Sequence, residues 1–437
     1  MVVPSRRLFQ PPWEFRESSL FTAVAVITGF IIQYAALGRG VPQTHLPYNA
    51  LFLGLFAVAV ISAGLAFRNN AFTQWLGGIP LGLCLLVAIA LLSLIGGIFP
   101  QTANATPESI YQQLQMTRMF PGATIEQLQQ ITSLYLQLRI NQIFSSWPFA
   151  LTILLFLANL GLSLSWRLVP FKVQNLQFIL FHAGFWIALS CGIFGAPDLQ
   201  RLVMKVDEGH ESSIAYSMES EAPLQLPFSV FLHDFSLEEY PPQLFLFDPR
   251  SGQPLEELSK ATTLVKKGIT ASWKGVTVEV LDFIPCALPG NNGIPEAADR
   301  TAGIAFAKVR ISSNAAPVEG WISTGSPMLK PYAMPCGKLL LLMTAGSPKA
   351  FLSDVTVHDR EGRQTKATLE VNHPITFMGW KLYQMGYDNQ AGRWSKYSLI
   401  EVIHDPWLPA VYLGFFMIMA GNILFFWNGI KRTEGAS

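Results

Sequence analysis

Histidine and cysteine are the side chains through which this chain could hold a metal or carry thiol chemistry. It has few of either: seven histidines and four cysteines in 437 residues. No two cysteines form a C-x-x-C pair, so neither a zinc site nor a thioredoxin-like dithiol is indicated. No Ser-His-Asp set, phosphate-binding loop or zinc signature occurs, and no residue is assigned a catalytic role. His182 stands apart, because it falls inside a long apolar segment. It is the sole member of the Asp/Glu/His/Lys/Arg set in any such segment. An ionisable residue at membrane depth is rare and is a functional candidate by default. The competing reading is a neutral histidine bonded to a neighbouring helix. His404 precedes the last apolar segment, and His45 lies between the first two. His210, His233 and His358 read as strand or turn residues, and His373, in Asn-His-Pro, reads as a turn. Cys84 and Cys191 read as buried small apolar residues. Cys286 and Cys336 each follow a proline and form a candidate disulfide; two free thiols are the alternative.

The segments that position these residues are membrane spans. Half of the chain is hydrophobic and 14% is charged, where a soluble protein carries about 25%. A membrane helix needs about 20 predominantly apolar residues. Six segments meet that requirement: Leu20–Leu37, Ala50–Phe67, Leu76–Phe99, Phe149–Ser165, Phe178–Phe194 and Leu408–Trp427. Lys and Arg favour the cytoplasmic side. With the N-terminus inside, the inner connections carry Arg6, Arg7, Arg16, Arg68, Arg167, Lys172, Lys431 and Arg432. The outer ones carry Arg39, Arg118 and Arg139. Eight against three predicts both termini inside and residues 197–405 outside. Trp75, Trp147, Trp166 and Trp407 stand at span ends, as interfacial aromatics do. A net charge of +1 gives no reason to expect a nucleic-acid partner.

From residue 197 to 405 the pattern changes to short β-branched and aromatic runs. They are Phe228–Leu232, Val276–Phe283, Ile304–Ile311, Leu339–Met343, Ser353–His358, Ala367–Val371, Trp380–Gln384 and Tyr397–Ile403. Turn signals at 249–252, 289–293 and 359–362 separate them. This spacing predicts an all-β sandwich or open barrel. Between the third and fourth spans, Ile110–Met119 and Ile125–Ile143 predict two amphipathic helices broken at Pro121-Gly122. The predicted parts are thus a region 1–75 with two spans, a bundle region 76–196 with an outer helical segment 101–146, a β domain 197–405, and a final span with a short tail, 406–437. If the β domain is outside, its compartment permits Cys286 and Cys336 to pair.

Several motifs resemble the ResB (CcsB) family of System II cytochrome c maturation. They are Ser353-Asp-Val-Thr-Val-His-Asp, Leu369-Glu-Val-Asn-His-Pro, Gly379-Trp-Lys-Leu-Tyr-Gln and Glu401-Val-Ile-His-Asp-Pro-Trp-Leu-Pro-Ala-Val-Tyr-Leu-Gly. Upstream, Ile95-Gly-Gly-Ile-Phe-Pro-Gln, Phe144-Ser-Ser-Trp-Pro-Phe, Phe181-His-Ala-Gly-Phe and Phe228-Ser-Val-Phe-Leu-His-Asp-Phe fit the same order. The likeness runs over about residues 76–430. The departure from the family pattern is the first pair of spans, since the family core has four.

The resemblance implies a protein that handles haem b with a tryptophan-rich partner of the ResC/CcsA type. Together they export haem and attach it to apocytochrome c outside the membrane. The implied membrane is the cell inner membrane or a thylakoid-type membrane. Haem iron takes an axial imidazole, and the resemblance makes His182 the ligand candidate. By position, at the outer mouth of the sixth span and in the first outer loop, His404 and His45 are lesser candidates that could meet haem as it leaves; an ordinary interfacial histidine is the alternative reading of each. No metal beyond haem iron is implied. A cysteine of the 286/336 pair could instead meet an apocytochrome thiol transiently. The rival readings are a structural membrane anchor of a respiratory or multihaem complex, and a sensor or transporter accessory that reuses the fold.

Overall fold

The structure is a computed structural model. It describes residues 11–102, 106–116, 122, 124–218, 222–254, 263–273, 275–290, 293–299, 303–313, 316–326 and 329–434. Arg6, Arg7 and Arg118 of the charge count lie outside the described residues, as do 117–119 of the predicted helix, Pro121 and residues 291–292 of one predicted turn. Two compact units form, one of residues 1–200 with 404–437 and one of Arg201–Ile403.

The first unit holds nine α-helices among the described residues: α1 (Phe15–Ala35), α2 (Tyr48–Ala66), α3 (Ala71–Leu76), α4 (Ile79–Ile98), α5 (Pro107–Met116), α6 (Ile125–Gln137), α7 (Trp147–Leu168), α8 (Leu176–Gly195) and α9 (Leu408–Glu434). Six of them, α1, α2, α4, α7, α8 and α9, are long and apolar enough to cross a membrane, so this is a multi-pass membrane protein. The first begins five residues earlier than hydropathy predicts. Glu17 closes its first turn by accepting the Glu14 backbone N–H at 3.0 Å. That bond lets a carboxylate enter the helix without an unpaired oxygen.

The two N-terminal spans are built into the bundle. Helix α7 lies at its centre, packed against α1, α2, α4 and α8. Large apolar side chains such as Leu81, Leu85, Phe156 and Leu157 fill the space between spans, and small and polar ones set the closest approaches, because apolar burial gains little over lipid and close packing decides. A Cβ on Gly29 of α1 would run into the Pro148 backbone, and one on Gly64 of α2 would run into the Ser165 hydroxyl. The tryptophans at the span ends bond to neighbouring helices. Trp75 donates its indole N–H to Ser18 at 2.9 Å, and Trp166 donates to the Gly64 carbonyl at 2.9 Å. Gln33 of α1 accepts the backbone N–H of Trp147, one of the donors at the start of α7 that has no partner within its own helix.

Helices α8 and α9 meet backbone to backbone. A Cβ on Gly184 would lie 2.6 Å from the Gly414 carbonyl, and one on Gly414 would lie 2.6 Å from the Gly184 carbonyl. Phe181, Gly184 and Ala188 recur at helical spacing and form the face that α9 covers.

Helix α6 stops at Gln137 rather than running to Ile143. Arg139 adopts the left-handed region, at φ 56°, and a 3-10 turn follows over Ile140–Ser145. The turned guanidinium donates to the Gly38 carbonyl at 2.9 Å and to the Ser145 hydroxyl at 3.1 Å. This arginine thereby fastens the α1–α2 connection to the entry of α7.

The second unit is all β and has two cores. An eight-stranded antiparallel sheet runs in the order 364–370, 348–359, 223–239, 211–217, 200–207, 397–404, 380–387, 375–377. Its end strands are joined by the turn at Asn372 and His373, so the sheet curls into a nearly closed barrel. His373 is a turn residue there. Val230, Leu232, Val357, Leu369, Leu382 and Val402 fill the interior. Two five-stranded sheets form the second core: one of 318–323, 304–312, 276–289, 270–273 and 295–297, the other of 334–336, 339–343, 243–248, 253–254 and 263–264. Val278, Val280, Val309, Leu244 and Leu341 pack between them. All eight predicted strand runs fall on strands; one, Ala367–Val371, overruns its strand by a residue, and Val371 lies in the turn.

Three buried polar side chains bond to one another in the barrel. Ser353 donates to the Ser398 hydroxyl at 2.9 Å, and Gln384 donates to the same oxygen at 2.9 Å. Ser398→Ala is expected to leave both donors short of an acceptor, at a cost of about 1–3 kcal/mol. Thermal unfolding of the detergent-solubilised chain checks this, and an unchanged midpoint contradicts it.

Candidate functional site

His182 lies in the second turn of α8, six residues from its start rather than four as hydropathy suggests. At a rise of about 1.5 Å per residue that is about 9 Å along the axis. It is half-buried. Its Nδ1 is 3.0 Å from the Phe178 carbonyl one turn earlier. A carbonyl oxygen only accepts, so Nδ1 carries the hydrogen, and a neutral ring then holds its lone pair on Nε2. Among the described residues nothing hydrogen-bonds Nε2. This is the arrangement found in metal-ligating histidines, where one nitrogen is fixed by an oxygen and the other is left for the metal.

The surroundings are aromatic. The ring stacks on Phe178, with centroids 3.6 Å apart, and meets Phe181 edge-on at 5.4 Å. The Arg167 guanidinium lies 3.8 Å from the centre of the Phe178 ring and pairs with no carboxylate among the described residues. One end of α8 therefore gathers a neutral imidazole, two phenyl rings and an unpaired cation. A flat apolar macrocycle with anionic side groups matches that set. The residues present fit haem.

At the opposite end of the bundle a second constellation forms around Asp198, just past the end of α8. Its side chain is 8% exposed. Oδ2 accepts Asn49 Nδ2 at 2.6 Å and the Trp407 indole N–H at 2.7 Å. Oδ1 accepts the Leu46 backbone N–H at 3.1 Å and faces His45 Nδ1 at 3.3 Å. One carboxylate thus ties the head of α2, the end of α8 and the entry to α9. Sequence reading missed it. The available signal was an acid directly after a charge-free span, three residues from its end.

His404 is half-buried and lies three residues before Trp407. His210 and His233 are bonded within the barrel, to the Glu208 carbonyl at 3.0 Å and to the Thr356 hydroxyl at 2.7 Å. His358 faces Glu211 at 3.4 Å.

The expected Cys286–Cys336 disulfide is absent, and both are free thiols. They sit on different sheets. Cys286, on strand 276–289, donates to the Asp299 carbonyl at 3.0 Å. Cys336, on strand 334–336, is buried in the core between the two five-stranded sheets, and burial pushes its thiol pKa up. Without reduction, maleimide is expected to modify Cys286 in the folded chain and Cys336 only after unfolding, since the thiolate is the reactive form. A 286–336 disulfide-linked peptide in the mass spectrum contradicts this.

A family model described as ResB-like matches residues 79–177 and 324–397, which is less than half of the chain. The first block takes in α4, α5, α6 and α7. The second takes in the strands from 334 to 387. The match contains His358 and His373, stops five residues short of His182, and reaches neither His45 nor His404. No curated protein matches the chain.

Proposed function

We infer what this chain does from its being a ResB-like protein: it takes part in cytochrome c biogenesis, as an accessory subunit of a haem export and cytochrome c synthase complex. The observation that carries the finer reading is the His182 imidazole, with Nδ1 tied to Phe178 and Nε2 left without a partner. We assign Nε2 as an axial ligand to haem iron in transit, shared with a tryptophan-rich membrane partner of the ResC/CcsA type. Phe178 and Phe181 supply apolar contact for the ring, and Arg167 supplies a cation for a propionate.

The bundle positions cargo, and the chain contributes ligation and orientation. The chemistry belongs to the haem vinyl groups and the thiols of apocytochrome c, which close into thioether bonds. The β domain is proposed to face the non-cytoplasmic side of the inner or thylakoid-type membrane and to orient the apocytochrome. Arg16, Arg68, Arg167 and Lys172 gather at the His182 end of the bundle. Arg39 and Arg139 lie at the other, which supports that orientation.

One observation favours a second reading. The family match includes none of the three histidine candidates, as a structural anchor without haem of its own would allow. The full chain purified with its partner decides between them. Haem absorption that tracks His182 supports the haem path; a stable complex that carries no haem supports the anchor.

A further inference from the structure

We propose that His45, brought to the outer end of the bundle by the two N-terminal spans and oriented by Asp198, is a second axial ligand for haem. It would receive haem at the end of α8 opposite to His182. The proposal rests on the reading that haem crosses this bundle.

The geometry starts from Asp198. Four donors converge on its two oxygens, and three of them, Asn49, Trp407 and the Leu46 N–H, hold it without any help from His45. The carboxylate is therefore fixed before the imidazole reaches it. An ionised carboxylate only accepts, so His45 Nδ1 is the protonated nitrogen and the lone pair of the neutral ring resides on Nε2. The His45 side chain is 65% exposed, and no described residue bonds Nε2. A carboxylate behind a histidine fixes its tautomer and raises its basicity as a ligand.

His182 shows the same arrangement with a backbone carbonyl in place of the carboxylate. From His182 to Asp198 is sixteen residues of one helix and its end, about 24 Å along the axis. That is most of an apolar bilayer core of about 30 Å. The two imidazoles therefore stand at opposite faces of the same helix bundle.

This also accounts for the first two spans. They lie outside the matched residues. They are nonetheless secured to the rest of the bundle at both ends, through Trp75–Ser18 and Trp166–Gly64 at one and Arg139–Gly38 and Asp198–Asn49 at the other. What they carry at the outer end that the four-span core lacks is His45.

The test is diethyl pyrocarbonate modification of the full wild-type chain with its partner, read by mass spectrometry at each histidine. Ferric haem and iron-free protoporphyrin IX are the two probes. At haem ten times its dissociation constant, modification of His45 is expected to slow about tenfold. Protoporphyrin, which can cover the imidazole but cannot be ligated, is expected to leave the rate unchanged. Asp198→Asn is expected to raise the half-saturating haem concentration for this protection about 10–100-fold; an unchanged value removes Asp198 from the site. Protection of His182 without protection of His45 overturns the inference and leaves the haem-path reading standing. Protection of neither overturns both. Equal protection of His45 by haem and protoporphyrin shows coverage alone and overturns the ligand role.

Discussion

Replacing His182 by glycine is expected to strip haem from the purified complex and to abolish cytochrome c maturation. The ring makes one hydrogen bond, to a backbone carbonyl that no side-chain substitution can remove. Its other nitrogen has no described partner. The variant deletes the free Nε2 together with the ring's contacts to Phe178 and Phe181, and a glycine inside a helix costs about 1 kcal/mol. Loss of a hydrogen-bond partner behind a ligating histidine typically costs about 10–100-fold in metal affinity, and loss of the ligand itself is expected to exceed that. The space vacated by the imidazole is open to a small molecule. Added imidazole is expected to restore part of the haem absorption, and glycine is chosen over alanine to leave room for it. A variant that assembles with its partner and keeps wild-type haem content and spectrum returns His182 to a structural role.

The second large effect is expected at the α8–α9 crossing. Gly414→Leu places a side chain where the Gly184 carbonyl stands 2.6 Å away and the Ala188 nitrogen 2.7 Å away. These are backbone atoms and cannot rotate aside. Overpacking ordinarily costs about 1–3 kcal/mol, and a clash between two main chains is expected at or above the top of that range. Helix α9 packs on α8 and on no other span to a comparable extent, so this crossing is its principal hold on the bundle. The expected result is loss of the monodisperse protein on size exclusion in detergent. Gly192→Leu is the control, since a Cβ at Gly192 of the same helix α8 meets nothing within 4 Å. It is expected to elute as wild type. Identical behaviour of the two variants contradicts the close crossing.

Much of this was legible in the sequence, for physical reasons that differ by element. The six spans are visible because lipid demands an unbroken apolar run, and a charge-free window of that length is hard to mistake. The β runs are visible because Leu339–Met343 or Trp380–Gln384 must fit a pleated, half-buried surface. Less visible were the edges and the partners. Helix α1 starts before its apolar run because Glu17 is satisfied by a backbone N–H, which no hydropathy window registers. The tryptophans at span ends carry the same sequence signal whether they face headgroups or a neighbouring helix; Trp75, Trp166 and Trp407 donate inward.

The two cores of the β unit share one alternating pattern, so a single run of strands gave no sign of where barrel ends and sandwich begins. Cys286 and Cys336 look pairable in sequence because spacing says nothing of which sheet each joins. At the candidate site His182 was legible as the lone ionisable residue of a span. Asp198 was not, because its meaning comes from Leu46, Asn49 and Trp407, which are distant in sequence and meet only in the folded bundle.

The measurement that bears most directly on the haem-ligand reading is hyperfine spectroscopy of the ferric complex with ¹⁵N-histidine incorporated into this chain alone. Coordination by His182 predicts a ¹⁵N coupling of directly bonded strength in the wild-type complex, and its replacement by a ¹⁴N coupling in His182→Gly refilled with haem and unlabelled imidazole. A haem signal that carries only ¹⁴N couplings, with the labelled chain present and folded, would show that both axial nitrogens come from elsewhere and would contradict it.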